Sequence, residues 1–225
     1  MNVYIYKSPI PEDWLLGYRP LQSDLLDASG NNKNWSWYSG TGSFWAVAWK
    51  TGARVTRNTS NYNSTQHIIT PIVHDKKDIT IACRINFDSN SMVNGTWTWM
   101  ASNTNFENHE SVSYTFSQFW LRGPDSYKVY AAMWWDNTLL TWTPTAWTWY
   151  CYILTSDWIN LKLYVNWSLI YTKNNYNWAD TNWWYAWRFW KWAGLVWTNW
   201  YIRHCALYNR ALTANEALEF YNWTI

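Results

Sequence analysis

The chain has 225 residues, a formal charge of +2 and only 14% charged residues, which leaves no electrostatic argument for nucleic acid or an anionic membrane surface as a partner. Its length suits a single domain with a substantial core, since β-sandwiches reach about 200–250 residues as one unit. Composition is abnormal in one respect: 24 tryptophans accompany 8 glycines, whereas average glycine usage is about 7%, so an excess and a deficit call for one explanation.

Tryptophan stands where a β-protein normally places glycine. Trp35, Trp167, Trp178, Trp183, Trp200 and Trp223 follow asparagine, and Trp14 and Trp158 follow aspartate. Asn-Gly and Asp-Gly are the favoured pairs of tight hairpin turns, because a type I′ turn needs positive φ at both central residues, which glycine adopts freely and an indole resists. The pattern predicts that the gene uses UGA for glycine and that many of these tryptophans are glycine in the natural chain. On that reading Trp158, Trp167 and Trp200 lie in turns or strand ends with poorly buried rings. A true tryptophan-rich chain built for stacking on ligands and a designed or scrambled sequence are the competing readings.

In chain order, Met1 to Pro11 lacks a basic segment followed by an apolar stretch and does not read as a secretory signal. Residues 1–14 read as an extension and 15–225 as one domain. The polar clusters at 58–65 and 89–94 read as surface loops, and Lys76-Lys77 as a solvated turn. Between them Ile79, Ile81, Cys83, Ile85 and Phe87 alternate with Thr80, Ala82, Arg84 and Asn86, the period of a half-buried strand with the second set outward. Similar alternation at Val112-Tyr114-Phe116, Val129-Ala131-Met133, Tyr150-Tyr152-Leu154, Leu161-Leu163-Val165 and Cys205-Leu207 implies many short strands, hence a sandwich or barrel. A strand over 149–155, a turn at Asp157-Trp158, a strand from Leu161 to Asn166 and a turn at Trp167 form a hairpin series. Only the end reads as helical: Thr213 and Glu216 fit a capping box, with Ala217, Leu218 and Tyr221 as anchors. No transmembrane helix is evident. Cys83, Cys151 and Cys205 have no zinc-type spacing and lie in apolar runs, which favours buried free thiols, with a Cys83–Cys205 bridge as the alternative.

Leu16 to Leu21 followed by Asp27-Ala28-Ser29-Gly30-Asn31-Asn32, then Trp147-Thr148-Trp149-Tyr150 with 154–158 and 161–167, and finally Trp200-Tyr201-Ile202 with 207–213 and Glu216, together resemble the laminin-G-like branch of the concanavalin A-like lectin/glucanase superfamily. The resemblance covers nearly the whole chain and requires Trp147, Trp158 and Trp167 to stand for glycine, with Trp149 genuine; Trp190, Trp192 and Trp223 also fall at glycine positions. It implies an all-β fold, a two-sheet antiparallel jelly-roll sandwich with one short C-terminal helix. One departure is Arg203, where the closing strand of the family often carries an acid, which puts any polar or metal role of that acid in doubt.

Catalysis is weakly supported. Retaining glucanases need two carboxylates about 5–5.5 Å apart, and the close pair Glu107 and Glu110 lies in an asparagine-rich stretch rather than an alternating strand. His67, His74, His109 and His204 are scattered and read as ordinary surface or strand residues. Asp27 with Asn31 are weak calcium candidates, because hard cations favour such oxygens, against the reading of a loop held by its own side-chain hydrogen bonds. If genuine, Trp183, Trp184, Trp187, Trp190 and Trp192 form an aromatic platform for sugar faces, or else core or aggregation-prone surface. The expectation is a non-catalytic recognition or adhesion module that binds a glycan or surface protein, extracellular or on a cell or virion surface, without nucleic acid or membrane insertion. A structural appendage of a larger assembly is the second reading and a glycoside hydrolase the third.

Overall fold

The computed structural model describes residues 14–21, 24–38, 43–47, 50–56, 67–73, 78–87, 97–101, 118–122, 128–133, 136–139, 143–157, 159–174, 186–189 and 199–225. Its strands are β1 (Leu15–Arg19), β2 (Ser36–Tyr38), β3 (Ser43–Val47), β4 (Lys50–Thr56), β5 (His67–Val73), β6 (Ile79–Phe87), β7 (Trp97–Ala101), β8 (Gln118–Arg122), β9 (Lys128–Met133) and β10 (Asp136–Leu139). They continue with β11 (Trp149–Ser156), β12 (Leu161–Val165), β13 (Ser168–Lys173), β14 (Ala186–Phe189) and β15 (Asn199–Tyr208), and the chain closes with helix α1 (Ala214–Trp223). The expected strand at 112–116 and the loops at 58–65 and 89–94 lie outside the described residues.

All described pairings are antiparallel. The main sheet has eight strands in the order β13-β12-β11-β6-β15-β4-β3, with β1 added on β15; β10-β9-β8-β7 and β14-β5-β2 form two smaller sheets. β15 carries a bulge between Arg203 and Ala206, so its first half pairs with β4 and its second half with β1. His204 sits in this irregularity with φ +49° and donates its amide to Pro20 O at 3.0 Å. Such a bulge re-aims the side chains on either side of it.

Two cores lie on opposite faces of the main sheet. On one face Ile79, Ile81, Cys83, Ile85 and Phe87 meet Tyr152, Leu154, Leu163, Ile202 and Leu207, joined by Ile68 and Ile72 of β5. On the other face Ala82, Cys151, Ile153, Ala206 and Tyr208 are covered by Leu212, Ala217 and Phe220. The outward face expected of β6 is therefore corrected: Thr80, Ala82, Arg84 and Asn86 are all buried, because α1 covers the side that alternation alone assigns to solvent. Thr80 and Thr155, opposite each other, remain satisfied there by accepting from Leu212 N at 3.0 and 2.9 Å.

The capping box forms as expected, with Glu216 N donating to Thr213 Oγ1 at 3.3 Å and Thr213 N to Glu216 Oε2 at 2.8 Å. The helix anchors differ in part. Ala217 and Phe220 are buried and Tyr221 half-buried, while Leu218 is 40% exposed, because positions three and four apart share a helix face and 218 turns away from it. The three cysteines are buried and free, as the thiol reading held.

The tryptophans divide. Trp147 takes φ +62° and is 49% exposed, and Trp167 is 60% exposed in the two-residue turn between β12 and β13, where the positive φ falls on Asn166 (+57°). Trp35 departs from the turn expectation, since it is packed in the core at 4% exposure. Trp223 departs as well: it ends α1 and stacks on Tyr18 with ring centres 4.4 Å apart. The backbone of Trp200 is within β15, and Trp158 lies outside the described residues.

Candidate functional site

The loop after β1 is a closed electrostatic unit. Asp27 pairs with Arg19 at 2.8 Å, both side chains fully buried, and accepts the amides of Tyr18 (3.2 Å), Ser29 (3.0 Å) and Lys33 (2.8 Å). Burial raises the carboxyl pKa, but the bonds from Lys33, Ser29 and Tyr18 outweigh it and hold the group below its ordinary range. Burial lowers the Arg19 pKa to about 10, and Asp27 opposes that shift. Asn31 donates Nδ2 to Leu15 O at 2.5 Å, so it staples the loop to β1. Asp27 and Asn31 do not fit calcium: the Asp27 oxygens face N–H donors and a guanidinium, whereas a hard cation needs those oxygens free. The hydrogen-bonded loop is the arrangement present.

A different constellation occupies the helix-covered face. Antiparallel register sets Arg84 of β6 opposite Cys151 of β11 and Arg203 of β15, and sets Asn86 opposite Trp149 and Tyr201. β4 adds Lys50 and Gly52 beside this row. A Cβ at Gly52 would lie 2.8 Å from Trp149 Cη2 and 3.0 Å from Ile202 O, so the missing side chain lets the indole lie across the sheet. Arg203 Cζ is 5.8 Å from the Trp149 ring centre, and Arg84 Cζ 5.6 Å from that of Tyr221. At the rim, the exposed Trp147 ring is 6.4 Å from Tyr201.

The basic groups here hydrogen-bond to the last two residues of the chain and to His204. Arg84 Nη1 donates to Thr224 O at 2.5 Å, and Lys50 Nζ donates to Ile225 O. Arg203 Nη2 lies 2.5 Å from His204 Nε2, and His204 Nδ1 lies 2.5 Å from Tyr18 Oη. Since a guanidinium can only donate, Nε2 accepts, which places the imidazole proton on Nδ1, directed at the tyrosine oxygen. Burial, followed by Arg203, Arg84 and Lys50, drives the His204 pKa down to about 2, so the ring is neutral. The nearby thiol offers no negative charge either, because burial raises the Cys151 pKa to about 12 despite Arg84. Burial and then Arg84 and Arg203 lower Lys50, and burial foremost lowers Arg84. Neither Arg84 nor Lys50 pairs with an Asp or Glu among the described residues. The arrangement gathers basic side chains beside an aromatic wall.

The sequence-predicted sites fall elsewhere. Trp183, Trp184, Trp190 and Trp192 lie outside the described residues, as do Glu107, Glu110, His74 and His109; Trp187 and His67 are within β14 and β5 by backbone alone. His204 answers to the strand alternative, lying within β15 at 4% exposure. Sequence reasoning missed Lys50, Arg84 and Asn86 as a group, since they come from β4 and β6 and meet only through β15. A signal existed in Arg203, a base where the resemblance leads to an acid.

No protein-family profile matches the chain, and no curated protein matches it. Solved structures do. The binding domain of Paraclostridial Mosquitocidal Protein 1 superposes with a TM-score of 0.71 at 18% identity, covering 94% of this chain and 52% of the other. A botulinum neurotoxin type C structure, described as showing cell entry dependent on two ganglioside molecules, gives 0.73 at 13%, covering 95% and 52%. The botulinum neurotoxin DC binding domain in complex with rat synaptotagmin II gives 0.72 at 12%, covering 95% and 52%. The chain thus spans about half the length of these toxin domains, and at this identity what it shares with them is the fold.

Proposed function

We propose that the chain is a non-catalytic recognition module that binds a glycan or a surface protein. The observation that carries this reading is the cationic and aromatic face of Lys50, Arg84, Arg203 and Trp149, presented on a fold shared with domains that bind gangliosides or synaptotagmin. Fold alone supplies no site; the face supplies one. Action at a cell or virion surface belongs to the same proposal. The test is binding of the monomeric and the assembled protein to a panel of neutral and acidic glycans and to immobilised surface proteins. Saturable monomer binding supports recognition. Retention only by the assembled form points instead to an appendage that acts through copy number.

The finer architecture is also proposed here: a two-sheet jelly roll of laminin-G-like type. It is supported by the core between the main sheet and β5 and by the proximity of β14 to β7.

Glycine recoding is retained as a proposal at selected positions. The left-handed backbone of Trp147 and the exposed ring of Trp167 support it, whereas Trp35 and Trp149 fit as true tryptophans. A peptide mass spectrum of natural protein over 148–172 tests it: tryptophan at 149 alone supports recoding, and tryptophan at 149, 158 and 167 refutes it there.

A further inference from the structure

We propose that His204 is an acid-operated latch on α1: protonation of its imidazole releases the C-terminal turn of the helix from the main sheet, while the N-terminal end of the helix stays anchored.

The first observation is that both ring nitrogens are engaged. Nδ1 lies 2.5 Å from Tyr18 Oη and Nε2 lies 2.5 Å from Arg203 Nη2. A guanidinium donates and never accepts, so the second contact requires an Nε2 without a proton. Protonation there sets one donor against another and one cation against another. Turning the ring over only exchanges one N–H for the other, and the backbone is fixed in the bulge of β15 at φ +49° with its amide on Pro20 O.

The groups that face the ring do not absorb the new charge. Arg203 of β15, Arg84 of β6 and Lys50 of β4 are cations. Tyr18 of β1 offers a phenol, and Cys151 of β11, opposite Arg84, a thiol kept neutral by burial. From the side of α1, Tyr221 meets Arg84, and the terminal residue Ile225, with its carboxylate, meets Lys50. Burial and the three cations lower the imidazole pKa to about 2 in the closed fold, so protonation near pH 5 requires opening.

The second observation is what the opening moves. Tyr18 links His204 to the helix, its ring 6.1 Å from the imidazole on one side and 4.4 Å from the Trp223 ring on the other. The same turn is tied by Arg84 Nη1 to Thr224 O at 2.5 Å and by Lys50 to Ile225. These ties all run through residues that face the imidazole. The opposite end of α1 is held by groups that do not titrate near pH 5. Glu216 pairs with Arg210 and closes the capping box with Thr213, and Arg210 foremost lowers its carboxyl pKa to about 2. Leu212 N donates to the hydroxyls of Thr80 and Thr155. Acid therefore loosens one end of the helix and spares the other, and the departing turn uncovers Tyr18 and Arg84.

The experiment is hydrogen–deuterium exchange read by mass spectrometry from pH 7 to pH 4.5, corrected for the intrinsic rate at each pH, on the full chain and on His204→Asn. An opened state that binds one more proton gains tenfold in population per pH unit below about 6.5. The expected result is that amides of 217–224 lose protection with that slope in the parent, that β6 and β11 keep theirs, and that His204→Asn removes the slope. Constant protection of 217–224, a slope that survives His204→Asn, or an equal slope in β6 and β11 overturns the latch; the last outcome leaves His204 as a determinant of global stability alone. Should His204→Asn fail to fold, Tyr18→Phe keeps a ring against Trp223 and removes the Nδ1 partner. It should speed exchange of 217–224 about fivefold at pH 7, the worth of one hydrogen bond, and unchanged exchange overturns the proposal.

Discussion

Two guanidiniums are buried against opposite faces of one sheet, and they are treated in opposite ways. Arg19, on the face that packs toward β5, meets a carboxylate that itself accepts three backbone amides. Arg84, on the face under α1, meets a neutral carbonyl, a tyrosine ring and other cations. Both sites cost desolvation. In the first the loop sequence repays it locally, since Asp27 is only eight positions from Arg19; in the second the Thr224 carbonyl and the Tyr221 ring, both at the far end of the chain, offset part of it. The contrast separates a guanidinium paired with a carboxylate from one held by a carbonyl and a ring.

The largest effect is expected from Asp27→Asn. It leaves Arg19 buried without its counter-charge and weakens the acceptors of Tyr18, Ser29 and Lys33, which should cost about 3 kcal/mol, as breaking a buried pair does. Urea unfolding measures this, and a loss below about 1 kcal/mol would erase the distinction between the two regions.

A second test uses pH. His204 is neutral in the fold, with its pKa lowered from 6.5 to about 2, while the unfolded chain protonates it below about 6.5. The unfolded state therefore binds more protons throughout that interval, and stability should fall with acidification by up to about 2.7 kcal/mol between pH 6.5 and 4.5. His204→Asn, which tolerates the positive φ, should flatten that slope. Asp27 and Glu216 titrate low in the fold, so their contribution is present above the ordinary carboxylate range and is lost only below it. The two regions thus begin to lose stability at different pH, His204 below about 6.5 and Asp27 only below the ordinary carboxylate range.

Smaller effects sharpen the same comparison. Salt should change the cost of Asp27→Asn little, because the Arg19 pair is fully enclosed. Trp147→Gly should add about 1 kcal/mol by releasing a bulky residue from φ +62°. A loss instead would show that the ring's contact with Tyr201 outweighs the backbone cost, and would count against glycine at this position.

Local pattern carried much of the architecture. Alternation placed β6, β11, β12 and the end of β15 because a strand's period of two is written directly in its residues. The Thr213–Glu216 capping box was legible for the same reason, being a short-range exchange of hydrogen bonds. The buried thiols followed from apolar neighbours. The site was legible only as an anomaly: Arg203 as a base where an acid was looked for, and Arg84 and Asn86 as members of a face assigned to solvent.

The amino-acid sequence by itself determined that the chain is strand-rich, where several strands begin and end, how α1 starts and that Asp27 lies in a tight polar loop, because each is settled by residues within a few positions of one another. Tertiary structure alone decided that the second face of β6 is covered, that β15 changes partners at His204, and that Lys50, Arg84, Asn86, Trp149 and Arg203 meet. Those contacts join segments far apart in the chain, and no local period encodes which strand lies beside which or on which face a terminal helix returns.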